Sequence, residues 1–166
     1  MKKIIWISSY PKSGSTWTRY FLSNYFFNKQ KNETDFTILN KIDKFPPYKI
    51  LQQVLTEDEI KKSAYNISKY WDQIQLEITK EKDDFIFLKN HNALVSVEGR
   101  NLTQEKFSLA FIYLVRDPRD VAVSYSNFDK TLSIDKAIER MTSENLYCHV
   151  AKKFPLDEEI LGSWKF

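Results

Sequence analysis

Apolar and polar residues follow one another along this chain in blocks whose period changes repeatedly between strand-like and helix-like. Ile4-Ile5-Trp6-Ile7 is a short β-favouring apolar run and predicts a buried strand. Ser8 to Ser15 reads as a loop. From about Thr16 a helix begins, because Trp17, Tyr20, Phe21 and Tyr25 recur at spacings of three and four. Residues 28–47 are polar and irregular, and Pro46-Pro47 argues against regular structure there. Thr56, with Glu59 three residues later, has the form of a capping box and predicts a helix start. Ala64, Ile67, Trp71, Ile74 and Ile78 then keep a three–four rhythm, an apolar helix face that reads as core packing and not as a cofactor box. Asp83-Asp84 ends that helix. Phe85 to Leu88 predicts a second strand, which ends in Lys89-Asn90-His91. Leu109 to Val115 predicts the third, a nearly continuous apolar run of the kind buried on both faces. It stops at Arg116-Asp117-Pro118, where Asp117 suits an N-cap and Pro118 the first turn of a helix. Ile134, Ala137, Ile138 and Met141 mark one more helix.

Strands that alternate with helices predict a three-layer α/β domain with a central parallel sheet, a single domain over residues 1–166. Ligands of such sheets bind beyond the carboxyl ends of the strands. Three polar clusters come after the three strands: Lys12 to Trp17, Lys89 to His91, and Arg116 to Ser124. The topology therefore brings them to one edge.

Each cluster has its own chemistry. Tyr10-Pro11-Lys12-Ser13-Gly14-Ser15-Thr16-Trp17 lies between a strand and a helix, where backbone N–H groups and the positive end of the helix dipole make an anion site. Gly14 permits close approach of the backbone, Lys12 adds a point charge, and Ser13, Ser15 and Thr16 add hydroxyl donors. The alternative is an ordinary helix start with a surface lysine. A Walker A pattern is absent, since Lys12 precedes Gly14, which argues against an ordinary ATPase or GTPase. Arg116 at a strand end offers a planar fork of donors to a phosphate, and Ser124 sits about two helical turns further on, facing the same groove. His91 at a strand end beside Lys89 is a candidate base, its unperturbed pKa of about 6.5 suiting proton abstraction near neutrality.

The first segment resembles the 5′-phosphosulfate-binding loop of the cytosolic-type sulfotransferases, which use 3′-phosphoadenosine 5′-phosphosulfate (PAPS). Tyr113-Leu114-Val115-Arg116-Asp117-Pro118-Arg119-Asp120-Val121-Ala122-Val123-Ser124-Tyr125 is similar to that family's 3′-phosphate-binding segment. Phe87-Leu88-Lys89-Asn90-His91 is similar to its Lys-Thr-His segment, with Asn90 in place of the threonine. The resemblance implies a P-loop-NTPase-like sulfotransferase fold, PAPS as co-substrate, no metal, and a small-molecule acceptor bearing a hydroxyl or an amine. It implies that Lys12, Ser13, Gly14, Ser15, Thr16 and Trp17 hold the 5′-phosphosulfate, and that Arg116 and Ser124 hold the ribose 3′-phosphate. His91 would act as general base, with Lys12 and Lys89 stabilising charge on the sulfuryl and bridging oxygens.

Leu161-Gly162-Ser163-Trp164-Lys165-Phe166 resembles a Gly-Ser-Trp segment that the family extends with further helices and a basic, glycine-containing segment closing over the 3′-phosphate and adenine. The chain is thus expected to be the amino-terminal portion of a sulfotransferase domain. Two other readings stand beside this one. A non-catalytic remnant would bind the nucleotide or a partner without turnover. A P-loop-like small-molecule kinase would want a lysine after the glycine and a metal-holding carboxylate.

Composition narrows the class further. The chain has 166 residues, 42% of them hydrophobic and 15% aromatic, which suits a globular core and not disorder. A net charge of +3, with lysines scattered among acids as in Glu57, Asp58, Glu59, Lys61 and Lys62, reads as a mixed solvated surface, so no nucleic-acid partner is expected. One cysteine, Cys148, excludes an internal disulfide framework, and its neighbour His149 does not make a metal site with it. The apolar start at Ile4 is too short for a signal peptide, and no apolar stretch reaches the roughly 20 residues that span a bilayer. A cytoplasmic protein is expected, its sequons at Asn32, Asn66 and Asn101 idle.

Overall fold

A computed structural model of the chain describes residues 2–29, 36–60, 67–80, 84–143, 147–149 and 158–161. Asn32, Lys61, Lys62, Ala64, Asn66, Asp83 and residues 162–166, which carry some of the sequence expectations, lie outside the described residues.

The architecture is mixed α/β. Strand β1 (Lys3–Ser9) leads into helix α1 (Ser15–Phe27). Next come a 3-10 turn (Phe36–Lys41), the two-residue strand β2 (Asp43–Lys44) and helices α2 (Tyr48–Val54), α3 (Glu57–Ile60) and α4 (Trp71–Ile78). Then come β3 (Phe85–Asn90), a small hairpin of β4 (Ser96–Val97) and β5 (Arg100–Asn101), and β6 (Ser108–Leu114). Helices α5 (Pro118–Phe128) and α6 (Ile134–Met141) precede a second small pair, β7 (Tyr147–His149) with β8 (Glu158–Ile160). The main sheet has the order β2-β3-β1-β6, and every pairing in it is parallel.

Alternation along β1 explains the layers. Ile4 and Trp6 point to one face, where they pack with Leu51, Trp71, Ile74 and Leu88. Ile7 points to the other, against Ile42 and Phe87, with Leu22 of α1 beside them. Trp6 is fully buried, its ring edge-on to Phe45 at 5.0 Å, and its indole N–H donates to Ser108 Oγ at 2.9 Å. Truncating so large a core residue costs about 3–5 kcal/mol.

Local signals set the helix starts. The Thr56 backbone N–H donates to Glu59 Oε2 at 2.9 Å and the Glu59 N–H to Thr56 Oγ1 at 3.4 Å, a reciprocal capping box. Asp117 accepts from the Arg119 N–H at 2.9 Å, with Pro118 in the first turn. Ile67, Trp71, Ile74 and Ile78 are all buried, as their rhythm predicts, although a 3-10 turn (Ser68–Tyr70) precedes α4 in place of one continuous helix.

Three expectations are corrected, and the face that α1 turns outward is established. β6 is not buried on both faces: among the described residues it is the edge of the sheet, with Leu109, Phe111 and Tyr113 at 59%, 51% and 62% exposure. An apolar run marks a strand but does not say how many neighbours that strand has. On α1, Trp17, Phe21 and Tyr25 form an outward-facing ladder of stacked rings, while Ser15 and Ser23 are the buried positions. The region read as irregular, residues 28–47, holds a 3-10 turn and β2, both too short for a period, and α2 starts directly after it. Pro47 is the N-cap of α2, its fixed φ of −64° pre-set for a helix entry, so its ring starts a helix in place of preventing one. Finally, β3 runs on through Asn90, so Lys89 and Asn90 are strand residues. The β4–β5 hairpin turns at Glu98 and Gly99, both at positive φ, as a two-residue turn requires.

Candidate functional site

The carboxyl ends of β1, β3 and β6 lie side by side in a parallel sheet, so the loop leaving each strand meets the loops leaving the others. Pairing of Ser8 with Asn90, and of Ser9 with Leu114, fixes the register.

After β1 the chain turns sharply. Lys12 and Gly14 both take left-handed backbone angles, φ 68° and 102°, and the Ser13 N–H donates to Tyr10 O at 3.3 Å. Backbone that passes in and out of the left-handed region directs N–H groups into a concavity that holds anions. Gly14 is the N-cap of α1, the Ser15 end of which is buried, while Thr16 and Trp17 stand exposed beyond it. A methyl group at Gly14 would meet nothing within 4 Å, so space is open above the loop. Ser13 Oγ is buried and has no hydrogen-bond partner among the described residues. An unpaired hydroxyl beside open space at a helix start fits an anionic oxygen. Lys12 Nζ lies 4.1 Å from the ring centre of Phe128, a cation–π contact that draws it over α5.

After β6, Arg116 ties the first cluster to the third. Its Nη1 donates to the Lys12 carbonyl oxygen at 3.1 Å, and its Nε lies 3.8 Å from Asp120 Oδ2. Ser124, half-buried, is one turn beyond Asp120 on α5. Asp117, next to Arg116 in sequence, is held down to a pKa of about 2, first by its side-chain hydrogen bonds from Arg119.

After β3, His91 ties the second cluster to the first. Its Nδ1 is 2.7 Å from the Ser9 carbonyl oxygen and 3.1 Å from Ser9 Oγ. A carbonyl oxygen only accepts, so Nδ1 carries the proton and Nε2 is the bare, basic nitrogen. Burial, then the charge of Lys89, lowers the pKa of His91 from 6.5 to about 4, against a smaller opposing pull from Glu159. The imidazole is neutral at pH 7. It borders a cleft of about 520 Å³ whose walls include Ser9, Leu102, Phe111, Tyr113 and Leu161.

The structure thus gathers all three clusters on one edge: Ser9 with His91, Lys12 with Arg116, and Lys89 two residues from His91. Sequence reasoning missed Ser8, whose Oγ accepts from Asn90 Nδ2 at 3.1 Å, and Ser9. It also missed Glu159, to which the His91 backbone N–H donates at 2.7 Å, and Lys44, 3.6 Å from the same carboxylate. For the serines the parallel register was a usable signal. Glu159 is 68 residues from His91 and nothing local announces it. Among the described residues, no cluster of three or more His, Cys, Asp or Glu is placed to hold a metal ion, and no helix is long and apolar enough to cross a membrane.

Comparison with known proteins adds two findings. The family model of the sulfotransferase domain matches residues 2–164. An amine sulfotransferase from Oryctolagus cuniculus is 24% identical over 159 residues, which cover 96% of this chain and 42% of that relative. The chain therefore spans less than half the length of the curated relative it matches.

Proposed function

This chain belongs to the sulfotransferase domain family, and we propose that it binds PAPS at the carboxyl edge of its sheet and directs sulfuryl transfer to a small-molecule hydroxyl or amine. One observation carries the reading: two hydrogen bonds, Arg116 to the Lys12 carbonyl and His91 to the Ser9 carbonyl, draw the phosphate-type donors and the base onto one rim.

The donor, when bound, supplies the sulfuryl group, with the nucleotide 3′,5′-bisphosphate as leaving group. The chain's own residues do the rest. The Ser13–Ser15 backbone and Lys12 hold the 5′-phosphosulfate, the N-terminus of α1 adding its dipole. Arg116 and Ser124 hold the 3′-phosphate. Nε2 of His91 takes the proton of the acceptor, its other nitrogen locked on Ser9 so that the ring cannot present the wrong tautomer. Lys12 and Lys89 offset the negative charge that builds on the leaving oxygen. Phe111 and Tyr113, on the wall of the cleft beside His91, favour an acceptor with an apolar body. The relative is an amine sulfotransferase, which makes an amine the first acceptor class to try.

A second reading, donor binding without turnover by this chain alone, is favoured by the open edge at β6 and by the 42% of the relative that is matched.

The test is thermal unfolding with 3′-phosphoadenosine 5′-phosphate, against ATP and adenosine 5′-phosphosulfate. Ligand at a hundred times its dissociation constant adds about 2.7 kcal/mol of stability. Selective stabilisation that Arg116→Ala abolishes is the expected result. A folded chain that ignores all three nucleotides would refute the donor site.

A further inference from the structure

The corner that holds His91 contains a carboxylate that none of the three clusters accounts for. Glu159, on β8, is 1% exposed. Its Oε1 accepts the hydrogen bond from the His91 backbone N–H at 2.7 Å and lies 3.8 Å from Lys89 Nζ. Its Oε2 lies 3.6 Å from Lys44 Nζ. Lys44 and Lys89 are register partners on the adjacent parallel strands β2 and β3. Two ammonium groups at neighbouring strand ends thus share a single carboxylate.

The electrostatics give that sharing a purpose. Lys89 is only 7% exposed, and a desolvated ammonium without a counter-charge tends to lose its proton. An ammonium that is not held in place would be poorly aimed at a leaving anion. Glu159 lies between the two ammonium groups and gives each a counter-charge at the end of its strand. The same oxygen that faces Lys89 also fixes the first backbone N–H after β3, so base and cation share one anchor.

We propose that Glu159 is a positioning residue, which holds the Lys89 ammonium and the His91 backbone in one grip at the end of β3. The proposal rests on the roles given above to Lys89 and His91. It adds that β8, remote in sequence from the three clusters, completes the reacting corner.

Two measurements test it, and the first needs no nucleotide. Lysine amines are labelled with trace acetic anhydride at pH 8, and labelling is read by peptide mass spectrometry, with exposed Lys49 as the reference. Glu159→Gln keeps the size of the side chain and removes its charge. It should raise the relative labelling of Lys89 about tenfold, because the carboxylate that favours the ammonium form is gone. Glu159→Asp should stay near the wild-type rate. Circular dichroism melting confirms that each variant is folded, and if Glu159→Gln does not fold, Glu159→Met, which fills the same volume without charge, replaces it. Unchanged labelling of Lys89 in a folded, uncharged variant would overturn the proposal.

The second measurement is the affinity for 3′-phosphoadenosine 5′-phosphate in a double-mutant cycle. Glu159→Gln should weaken binding about fivefold in the wild-type background and less than about twofold on Lys89→Met. Equal losses in the two backgrounds would mean that Glu159 acts on the fold and not through Lys89. A wild-type chain that binds no nucleotide refutes the donor reading alone, and the labelling experiment still decides the role of Glu159.

Discussion

The Nδ1 atom of His91 lies 2.7 Å from the carbonyl oxygen of Ser9, a contact across the parallel pair β1 and β3 that fixes which ring nitrogen is free. It has consequences for both chemistry and stability.

For chemistry, His91→Ala should leave nucleotide affinity within about twofold of wild type, because the ring meets the acceptor proton and not the phosphates. Transfer should fall by about 10²–10⁴, the usual contribution of a general base. Calorimetric titration with 3′-phosphoadenosine 5′-phosphate and a sulfated-product assay check the two halves. An equal loss of binding would remove His91 from the role of base.

For stability, the sign is set by the lowered pKa. The native imidazole titrates at about 4 and an unfolded one near 6.5, so the unfolded chain binds the extra proton first. The contribution of neutral His91 is fully present above about pH 6.5 and is lost as pH falls toward 4. It amounts to about 3 kcal/mol over that window. Urea unfolding at a series of pH values should show the slope in the wild type, and His91→Gln should flatten it. An unaltered slope would mean that the ring is solvated in the native chain.

How much of this was readable beforehand depended on the range of each signal. The strands β1 and β3, the capping box at Thr56 and Glu59, and the Asp117-Pro118 helix start are all set within a few residues, and all were legible. The meeting of the three polar clusters was legible too, because a parallel sheet brings all its carboxyl ends to one edge. What failed was everything that depends on neighbours distant in sequence. The apolar run of β6 says strand but not edge, and the ring spacing on α1 says helix but not which face meets the sheet. The grip of Glu159 on His91 and Lys89 spans about 70 residues and leaves no local trace.

Gly14 offers a prediction in which backbone and ligand separate. Its φ of 102° lies in a region that L side chains rarely adopt, while a methyl group there would clash with nothing within 4 Å. Gly14→Ala should therefore destabilise the chain by about 1–2 kcal/mol through backbone strain alone. Relaxation of that strain would turn the loop amides away from the anion, so nucleotide affinity should fall as well. Chemical denaturation and titration calorimetry measure the two effects. Unchanged stability in the Gly14→Ala variant would mean that this loop does not hold its left-handed turn.

The open edge at β6 predicts association. Leu109, on that edge, exposes 59% of its surface in a strand whose seven residues from Ser108 to Leu114 carry no charge. Unpaired strand edges without charge recruit other chains, and natural proteins blunt them with lysine. Leu109→Lys should lower concentration-dependent light scattering by the chain, while its melting temperature changes little, since an exposed substitution shifts stability by only about 0.5 kcal/mol. Scattering that stays high in the variant would place the sticky surface elsewhere, with the exposed rings of Trp17, Phe21 and Tyr25 on α1 as the next to alter.

Arg116 carries the most direct test of the donor site, because it is shared between structure and ligand. Its Nη1 holds the Lys12 carbonyl, and its pairing with Asp120 is exposed and contributes little to stability. Much of the guanidinium is thus available to a phosphate. Hydrogen bonds to charged groups contribute about 1.5–3 kcal/mol, so Arg116→Ala should weaken nucleotide binding by about 10- to 100-fold while costing little stability. Arg116→Lys keeps the charge but loses the fork, and should recover only part of the affinity. The 3′-phosphate is the group at stake, so the loss should appear with 3′-phosphoadenosine 5′-phosphate and vanish with adenosine 5′-phosphosulfate, which lacks it. Equal losses for both nucleotides would show that Arg116 acts through the Lys12 loop, by way of the 3.1 Å bond to its carbonyl, and not on the 3′-phosphate.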